Sequence, residues 1–528
     1  MLKEVAPGNS VRLAQAAPCS IKRRSFTLHV PNVPGTWQPV RCAECTCNEK
    51  RALINRCLAV GPGGKPTEDG LFEMRKQLWI LRREMAHRRC DPMPTERVLA
   101  RYSGPKLAKY QRAALSLGVR PIDRRDATVN AFIKAETNPL EADKDPRLIQ
   151  FRNARYTISL ARYLLPIEEA LYGVMSRKAQ RVGARTRLFA KGMNQGERAR
   201  CIAQKLEGFN AGVAAAVDVS RFDMSVSLDM LRLEHGFYNW FHRCPELRRL
   251  LKFQERNRGR TMSGIKYTVT GNRMSGDVNT ALGNNLLMLA VLRAAVEEAG
   301  MTRWDLLIDG DNALIFGERD ELPGAFPTIE AMYAKCGMKA VLERWCSRPE
   351  EVEFCRARPT LTADGLRLVK PPLDAMSGML CSHRHYGEPR GGLRVAKSVA
   401  LCNLALYRGV PVMQPYCVRL LEVLAHLKPA ALPDHHPLVI RAKAEIGRWV
   451  DAVPAPITFA ARESFAEAFG IGPEDQVAME AEVCRVDLQD LDLWGLRSLP
   501  REWYPGRERA HLVSVRQHWG QEGLWEKQ

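Results

Sequence analysis

Two short apolar runs in this chain stop on carboxylates, and a glycine-bearing segment that opens a helix lies between them. The first run, Val213-Ala214-Ala215-Ala216-Val217, ends at Asp218. A fully apolar stretch of that length reads as a buried strand delivering a side chain at its carboxyl end. The second, Leu306-Leu307-Ile308-Asp309, passes through Gly310-Asp311 into Asn312-Ala313-Leu314-Ile315-Phe316. This reads as two strands joined by a tight turn, with Gly310 supplying the permissive backbone and Asp311 presented at the bend. The intervening residues 275–284, Ser-Gly-Asp-Val-Asn-Thr-Ala-Leu-Gly-Asn, form a flexible Ser275-Gly276 loop entering a helix. Thr280 and Asn284 then fall four apart, on one helical face.

The remainder is mostly helical. Residues 69–89 carry helical apolar spacing and are followed by a turn at Asp91-Pro92-Met93-Pro94 and a second helical stretch from Thr95. Residues 220–235 have the same periodicity, and from about residue 365 helices alternate with Pro-rich breaks such as 429–437. The first sixty residues look irregular and basic, with Ile21-Lys22-Arg23-Arg24 among them, and Gly61-Pro62-Gly63-Gly64-Lys65-Pro66 reads as a linker. There is no internal repeat. A chain of 528 residues is long enough for two to four subdomains.

Lys plus Arg exceed Asp plus Glu by 79 to 59, so a polyanion, nucleic acid above all, is the expected partner. The N-terminus has no apolar signal region, and the best uninterrupted apolar run is 286–292, so neither a signal peptide nor a membrane span is expected. The fifteen cysteines then read as reduced thiols. Cys42, Cys45, Cys47 and Cys57 cluster, but their spacing is not two matched Cys-x2-Cys pairs and no His lies between them. Ordinary packing is the expectation for them.

Carboxylates on adjacent strand ends are how two divalent metals are brought to one phosphate. Mg2+ needs only a few hard oxygen ligands and keeps several waters, which makes Asp218 and Asp311 the expected ligands. Asp223 lies five residues past Asp218, where the Thr280 and Asn284 face can look at it. An Asp223–Asn284 pair can hydrogen-bond a ribose 2′-hydroxyl and so select ribonucleotides. Lys134, Lys144, Arg147, Arg152 and Arg155 form a basic cluster suited to a triphosphate. Lys339 follows a predicted helix and could protonate a leaving pyrophosphate.

These residues resemble the RNA-dependent RNA polymerases of positive-strand RNA viruses, most closely the tombusvirus-like group. The resemblance starts near Val98-Leu99-Ala100-Arg101-Tyr102. It runs through Phe132-Ile133-Lys134-Ala135-Glu136, Pro146-Arg147-Leu148-Ile149-Gln150-Phe151-Arg152, Arg155-Tyr156 and Glu168. It then takes in the acidic and glycine-led segments with Gly271-Asn272-Arg273-Met274, and ends near Glu353-Phe354-Cys355-Arg356. In that family these are motifs G, F, A, B, C, D and E, and here they keep that order.

The resemblance implies an α+β right-hand fold with an antiparallel palm sheet and mostly helical fingers and thumb. Its expected divisions are a basic extension (1–65), fingers (66–210), palm (211–236), a fingers insertion (237–268), palm again (269–362), and thumb with the carboxyl-terminal region (363–528). It implies metal binding by Asp218 and Asp311, and nucleotide handling by Asp223, Ser275, Gly276, Thr280, Asn284, Lys134, Arg147 and Arg152. Lys339 becomes the general acid, and Phe354-Cys355 part of a primer-grip hairpin. The implied cofactor is Mg2+, with Mn2+ as the alternative. The implied partners are template and nascent RNA, ribonucleoside triphosphates, and viral or host replication factors. The implied location is the host cytoplasm, in a membrane-associated replication complex reached through partners.

The chain departs from the family pattern twice. Gly310-Asp311-Asn312 stands where the group usually has Gly-Asp-Asp, and Phe151 where it usually has Pro. Asn312 removes one negative charge beside the metals, so activity with a raised demand for Mn2+ is expected. Reverse transcription, an inactive RNA-binding relative and a nucleic-acid scaffold are the rival readings. The Asp223–Asn284 pair speaks against the first, and the retained carboxylates against the other two. Cys47-Asn48 with Arg56 matches a further element of the group. Trp494, Trp503, Trp519 and Trp525 either stack on RNA or pack a thumb, packing being the commoner fate of tryptophan.

Overall fold

The computed structural model describes residues 2–13, 23–24, 27–176, 186–381 and 391–491. Trp494, Trp503, Trp519 and Trp525 lie outside them, as do Ile21 and Lys22.

At the centre is a four-stranded sheet, antiparallel throughout, in the order Trp304–Asp309, Asn312–Glu318, Gly212–Val219, Ala340–Leu342. Its two middle strands are covered on both faces. Val213, Ala215, Val217, Ala313 and Ile315 join one core, while Ala214, Leu314 and Phe316 join another. A strand buried on both faces has no polar side to show, which is why these runs read as continuously apolar. One face is covered by helix Thr280–Glu298, buried all round from Leu282 to Val296. The other is covered by helix Gln195–Glu207, whose start is fixed by a capping box between Asn194 and Glu197.

A second sheet runs Ser10–Arg12, Lys266–Thr270, Arg256–Thr261, Val129–Ile133, Leu148–Phe151, with one parallel pairing between Val129–Ile133 and Arg256–Thr261. Hairpin Arg358–Thr362 with Gly365–Val369 leads into a carboxyl-terminal helical layer. That layer has its own core around Met376, Leu404, Met413, Tyr416, Leu420 and Phe465. The architecture is α+β, as expected.

Three local expectations are corrected. The helical pattern of 220–235 is two helices, Phe222–Ser225 and Leu228–His242, because Val226 is extended and the Ser227 hydroxyl caps the second by accepting from the Met230 amide at 3.2 Å. The helix expected over 69–89 is Glu68–Glu84, started by Thr67, whose hydroxyl accepts from the Gly70 amide at 3.0 Å. The Gly61 to Pro66 stretch is not a loose linker. A Cβ on Gly63 would lie 2.4 Å from the Gly337 backbone, and the Thr67 amide donates to the Lys335 carbonyl at 2.7 Å.

The first sixty residues are also more ordered than their pattern suggests. Helix Thr46–Leu53 continues into the π-helical turn Ile54–Leu58, and strand Pro39–Cys42 pairs with Asn138–Pro139. Upstream, the Leu28 amide donates to Leu380 at 3.2 Å and Trp37 Nε1 to Asp374 at 2.8 Å. This segment therefore straps the second sheet to the carboxyl-terminal layer.

Candidate active site

The site forms where the central strands end. Antiparallel register sets Asn312 opposite Asp218 and closes Asp309 on Asn312, leaving Gly310-Asp311 as a two-residue turn. Gly310, at φ 70°, supplies the positive φ such a turn needs at its first central position. Partners across a ladder sit about 5 Å apart at Cα, so Asp218 and Asp311 project from neighbouring strand ends. Both are exposed, and neither makes an ion pair among the described residues. Asp311 accepts a hydrogen bond from the Asn312 amide at 3.3 Å. Asp309 is different, because Arg198 holds its carboxylate at 2.6 Å.

Behind this pair, helix Thr280–Glu298 offers two adjacent asparagines, each gripping one acidic segment. Asn284 donates to Asp223 Oδ1 at 3.0 Å, and Asn285 accepts from the Gly310 amide at 2.9 Å. The expected Asp223–Asn284 pair is thus formed across 61 residues of chain. Burial pushes the Asp223 carboxyl above its ordinary range; the Asn284 hydrogen bond pulls it back and the charge of Asp311 adds to the rise. Asn284 in turn accepts from Arg273 Nε at 2.9 Å, and Arg273 is paired with the fully buried Glu234.

The loop before that helix is docked on strand Leu148–Phe151. Ser275 donates its hydroxyl to the Leu148 carbonyl at 2.8 Å, and the Gly276 amide donates to Gln150 at 2.8 Å. A Cβ on Gly276 would meet the Gln150 oxygen at 2.5 Å, so the close approach requires glycine. Thr280 donates to the Met274 and Asp277 carbonyls, closing the loop on itself. The hydroxyls of Ser275 and Thr280 therefore shape the loop that borders the site.

The basic cluster divides. Lys134 and Arg147 are at least partly exposed and share Glu136, at 2.7 and 3.2 Å. Lys144 is exposed. Arg152 is instead only 3% exposed, and its guanidinium donates to Asp277, to the Ala127 carbonyl and to Asn257. Arg155 is likewise buried against Asp126, Ser116 and the Arg120 carbonyl. Their side chains are buried and occupied by these partners, locking the loop and helix in place, where the sequence predicts an open phosphate-binding cluster. Lys339 is exposed beside the central strand, its carbonyl accepting from the Ser220 amide at 2.9 Å.

At the tip of the hairpin turn between Phe354 and Ala357, Cys355 and Arg356 both adopt positive φ, 54° and 57°. Burial, reinforced by the Asp309 charge, pushes the Cys355 thiol up to about 12. The amino-terminal element packs as expected. Asn48 donates to the Ala43 carbonyl at 2.9 Å and Arg56 to the Asp145 carbonyl at 3.0 Å. Asp145 also receives Arg51, Asn55 and Arg221, and so joins this segment to the turn after Asp218. Cys57 is buried, which raises its thiol to about 11.

Sequence reasoning missed Glu234, Asn279 and Asn285, and gave Arg273 no role. The available signal was Glu234 itself, a carboxylate on the apolar stripe of Met230-Leu231-Leu233-Phe237.

Among the described residues, no three His, Cys, Asp or Glu side chains converge as a metal cluster. Two unpaired exposed carboxylates still fit Mg2+ or Mn2+, since such an ion completes its shell with water and phosphate oxygens. No described helix is long and apolar enough to cross a membrane.

A family model described as viral RNA-dependent RNA polymerase matches residues 13–490, and the chain belongs to that family. Its relatives are polymerases of tombus-like positive-strand RNA viruses. The chain is 31% identical to the RNA-directed RNA polymerase of Cucumber necrosis virus over 498 residues, covering 91% of this chain and 58% of the relative. With that of Carnation mottle virus it shares 31% over 485 residues, 88% of this chain and 61% of the relative. With that of Turnip crinkle virus it shares 36% over 330 residues, 62% of this chain and 41% of the relative. The chain spans about half the length of the curated relatives it matches.

Proposed function

We propose that this chain adds ribonucleotides to an RNA 3′-hydroxyl on an RNA template, replicating a positive-strand viral genome by two-metal nucleotidyl transfer. The observation that carries the reading is the register that sets Asn312 opposite Asp218, with Asp311 in the adjoining turn and the Asp223–Asn284 bond behind them. In this reading Asp218 and Asp311 hold the ions, and Asp223 with Asn284 recognises the 2′-hydroxyl of the incoming nucleotide. Bound there, divalent metal supplies charge neutralisation for the attacking oxygen and the triphosphate. Lys134 and Arg147 attract the triphosphate, and Lys339 gives a proton to the departing pyrophosphate.

The central sheet with its covering helices is then a palm, the second sheet and its helices fingers, and the carboxyl-terminal layer a thumb. Template and product RNA and other replication factors are the proposed partners, in a cytoplasmic, membrane-associated complex reached through those partners. The test is labelled ribonucleotide incorporation on single-stranded RNA, with Mg2+ and with Mn2+, beside an Asp311→Ala control. Template-dependent product lost in the control is the expected result. Folded protein that binds RNA and makes no product with either metal would move the reading to an inactive relative.

Asn312 gives a second expectation. Its amide donates to Asp311, where a carboxylate would add charge to the metal site. Asn312→Asp is expected to shift the ratio of Mg2+-supported to Mn2+-supported activity toward Mg2+. Identical metal titrations for the two proteins would count against that role.

A further inference from the structure

We propose that the buried Arg273–Glu234 pair is a positioning device for ribose selection, fixing which way the Asn284 amide faces; the inference rests on the polymerase reading above. Arg273 Nε donates to Asn284 Oδ1 at 2.9 Å. A guanidinium has donors and no acceptor, so Asn284 can face it only with its oxygen. The Asn284 nitrogen is thereby turned to Asp223, which it meets at 3.0 Å. The opposite orientation would set a carbonyl oxygen against a carboxylate. One Asn284 proton goes to Asp223; the second, with a remaining lone pair of Asp223, is available to a 2′-hydroxyl acting as acceptor and donor.

Arg273 is itself fixed. Its Nη1 donates to Glu234 Oε1 at 3.0 Å and its Nη2 to Glu234 Oε2, while its backbone amide donates to the Asp223 carbonyl at 2.9 Å. Glu234 also receives the Tyr238 hydroxyl at 2.7 Å and the Asn279 amide at 2.8 Å. Complete burial alone would raise the Glu234 carboxyl, and the Arg273 charge and hydrogen bonds, with smaller help from His235 and the Tyr238 hydroxyl, hold it below its ordinary range. The pair crosses helix Thr280–Glu298 at Gly283. A Cβ there would stand 2.3 Å from Arg273 Nη2 and 2.5 Å from Glu234 Oε1. Glycine at 283 is therefore part of the device.

The experiment compares kcat/KM for a ribonucleoside triphosphate and its 2′-deoxy analogue on one RNA template, in wild type, Arg273→Lys, Gly283→Ala and Asn284→Asp. Lysine keeps the charge beside Glu234 but lacks the fork that serves Glu234 and Asn284 together. Selectivity is expected to fall on the order of 10- to 100-fold in each variant, through a higher KM for the ribonucleotide with the deoxynucleotide little changed. Arg273→Lys combined with Asn284→Asp is expected to lose little more than either alone. A merely structural role would lower both substrates by one factor, and that result in Arg273→Lys and Gly283→Ala would overturn the inference while leaving the polymerase reading intact. Wild type that incorporates no ribonucleotide would overturn both. Should Gly283→Ala fail to fold by circular dichroism, Arg273→Lys alone decides.

Discussion

Asp218→Asn and Asp311→Asn are each expected to lower RNA-templated ribonucleotide incorporation by at least about a thousandfold, with RNA binding and unfolding midpoint close to wild type. The size follows from what the carboxylates do in the proposed mechanism: losing several kcal/mol of charge stabilisation at the reacting phosphate corresponds to roughly three or more decades in rate. The small stability cost follows from their surroundings. Both side chains are exposed and form no ion pair among the described residues, so neutralising them leaves no buried partner behind. Because the two act as one unit, the double variant is expected to be scarcely worse than either single one. Asp309 is the internal contrast. Held by Arg198 at 2.6 Å, it is a fixed strut of the turn, and Asp309→Asn is expected to leave measurable activity. Single-turnover rates at saturating Mg2+ make the comparison. Residual activity above about a tenth of wild type in Asp218→Asn would remove that residue from the metal site.

Why this site was readable is clear from its construction. Val213 to Val217, apart from the half-buried Ala216, and Ala313 to Phe316 are buried on both faces, so burial wrote itself into uninterrupted apolar runs. A two-residue turn fixes the pairing of Asp309 with Asn312, and the separate ladder with Gly212–Val219 then sets Asn312 opposite Asp218. The Asp223–Asn284 bond was legible because helical spacing puts Thr280 and Asn284 on one face. What escaped was set by partners far off in the chain. Arg152 looked like a solvent-facing phosphate ligand until its partner Asp277, 125 residues on, drew it into the interior. The break at Val226 interrupts a periodicity that continues in phase beyond it, so the pattern alone could not show it. Glu234 and Arg273 are charged residues at buried positions, and composition expects such residues outside. The amino-terminal strands are two to four residues long and pair with segments far away, too short for any period to register.

A second large effect is expected in the core of the central sheet, where Lys205 and Asp305 form an ion pair with side-chain exposures of 0% and 2%. Lys205 sits on helix Gln195–Glu207 and Asp305 on the edge strand Trp304–Asp309, so the pair pins the helix to the sheet that carries the carboxylates. The contact is 2.8 Å, and the remaining polar capacity is used. Lys205 also donates to the Thr186 hydroxyl at 2.9 Å, and Asp305 accepts from the Leu306 amide at 2.7 Å. Removing one partner leaves the other charge buried without an opposite charge, the Thr186 hydroxyl being a neutral neighbour only. Lys205→Met and Asp305→Leu are therefore each expected to cost about 3–5 kcal/mol, read as a lower midpoint in urea unfolding. The double variant is expected to regain most of that loss, because two apolar side chains in the space beside Phe316 carry no desolvation penalty. Its activity at moderate temperature should match wild type, since neither residue approaches the strand ends where Asp218 and Asp311 project. Single variants within about 1 kcal/mol of wild type would mean that water reaches the pair, and a double variant no better than the singles would mean that its value lies in geometry and not in charge cancellation.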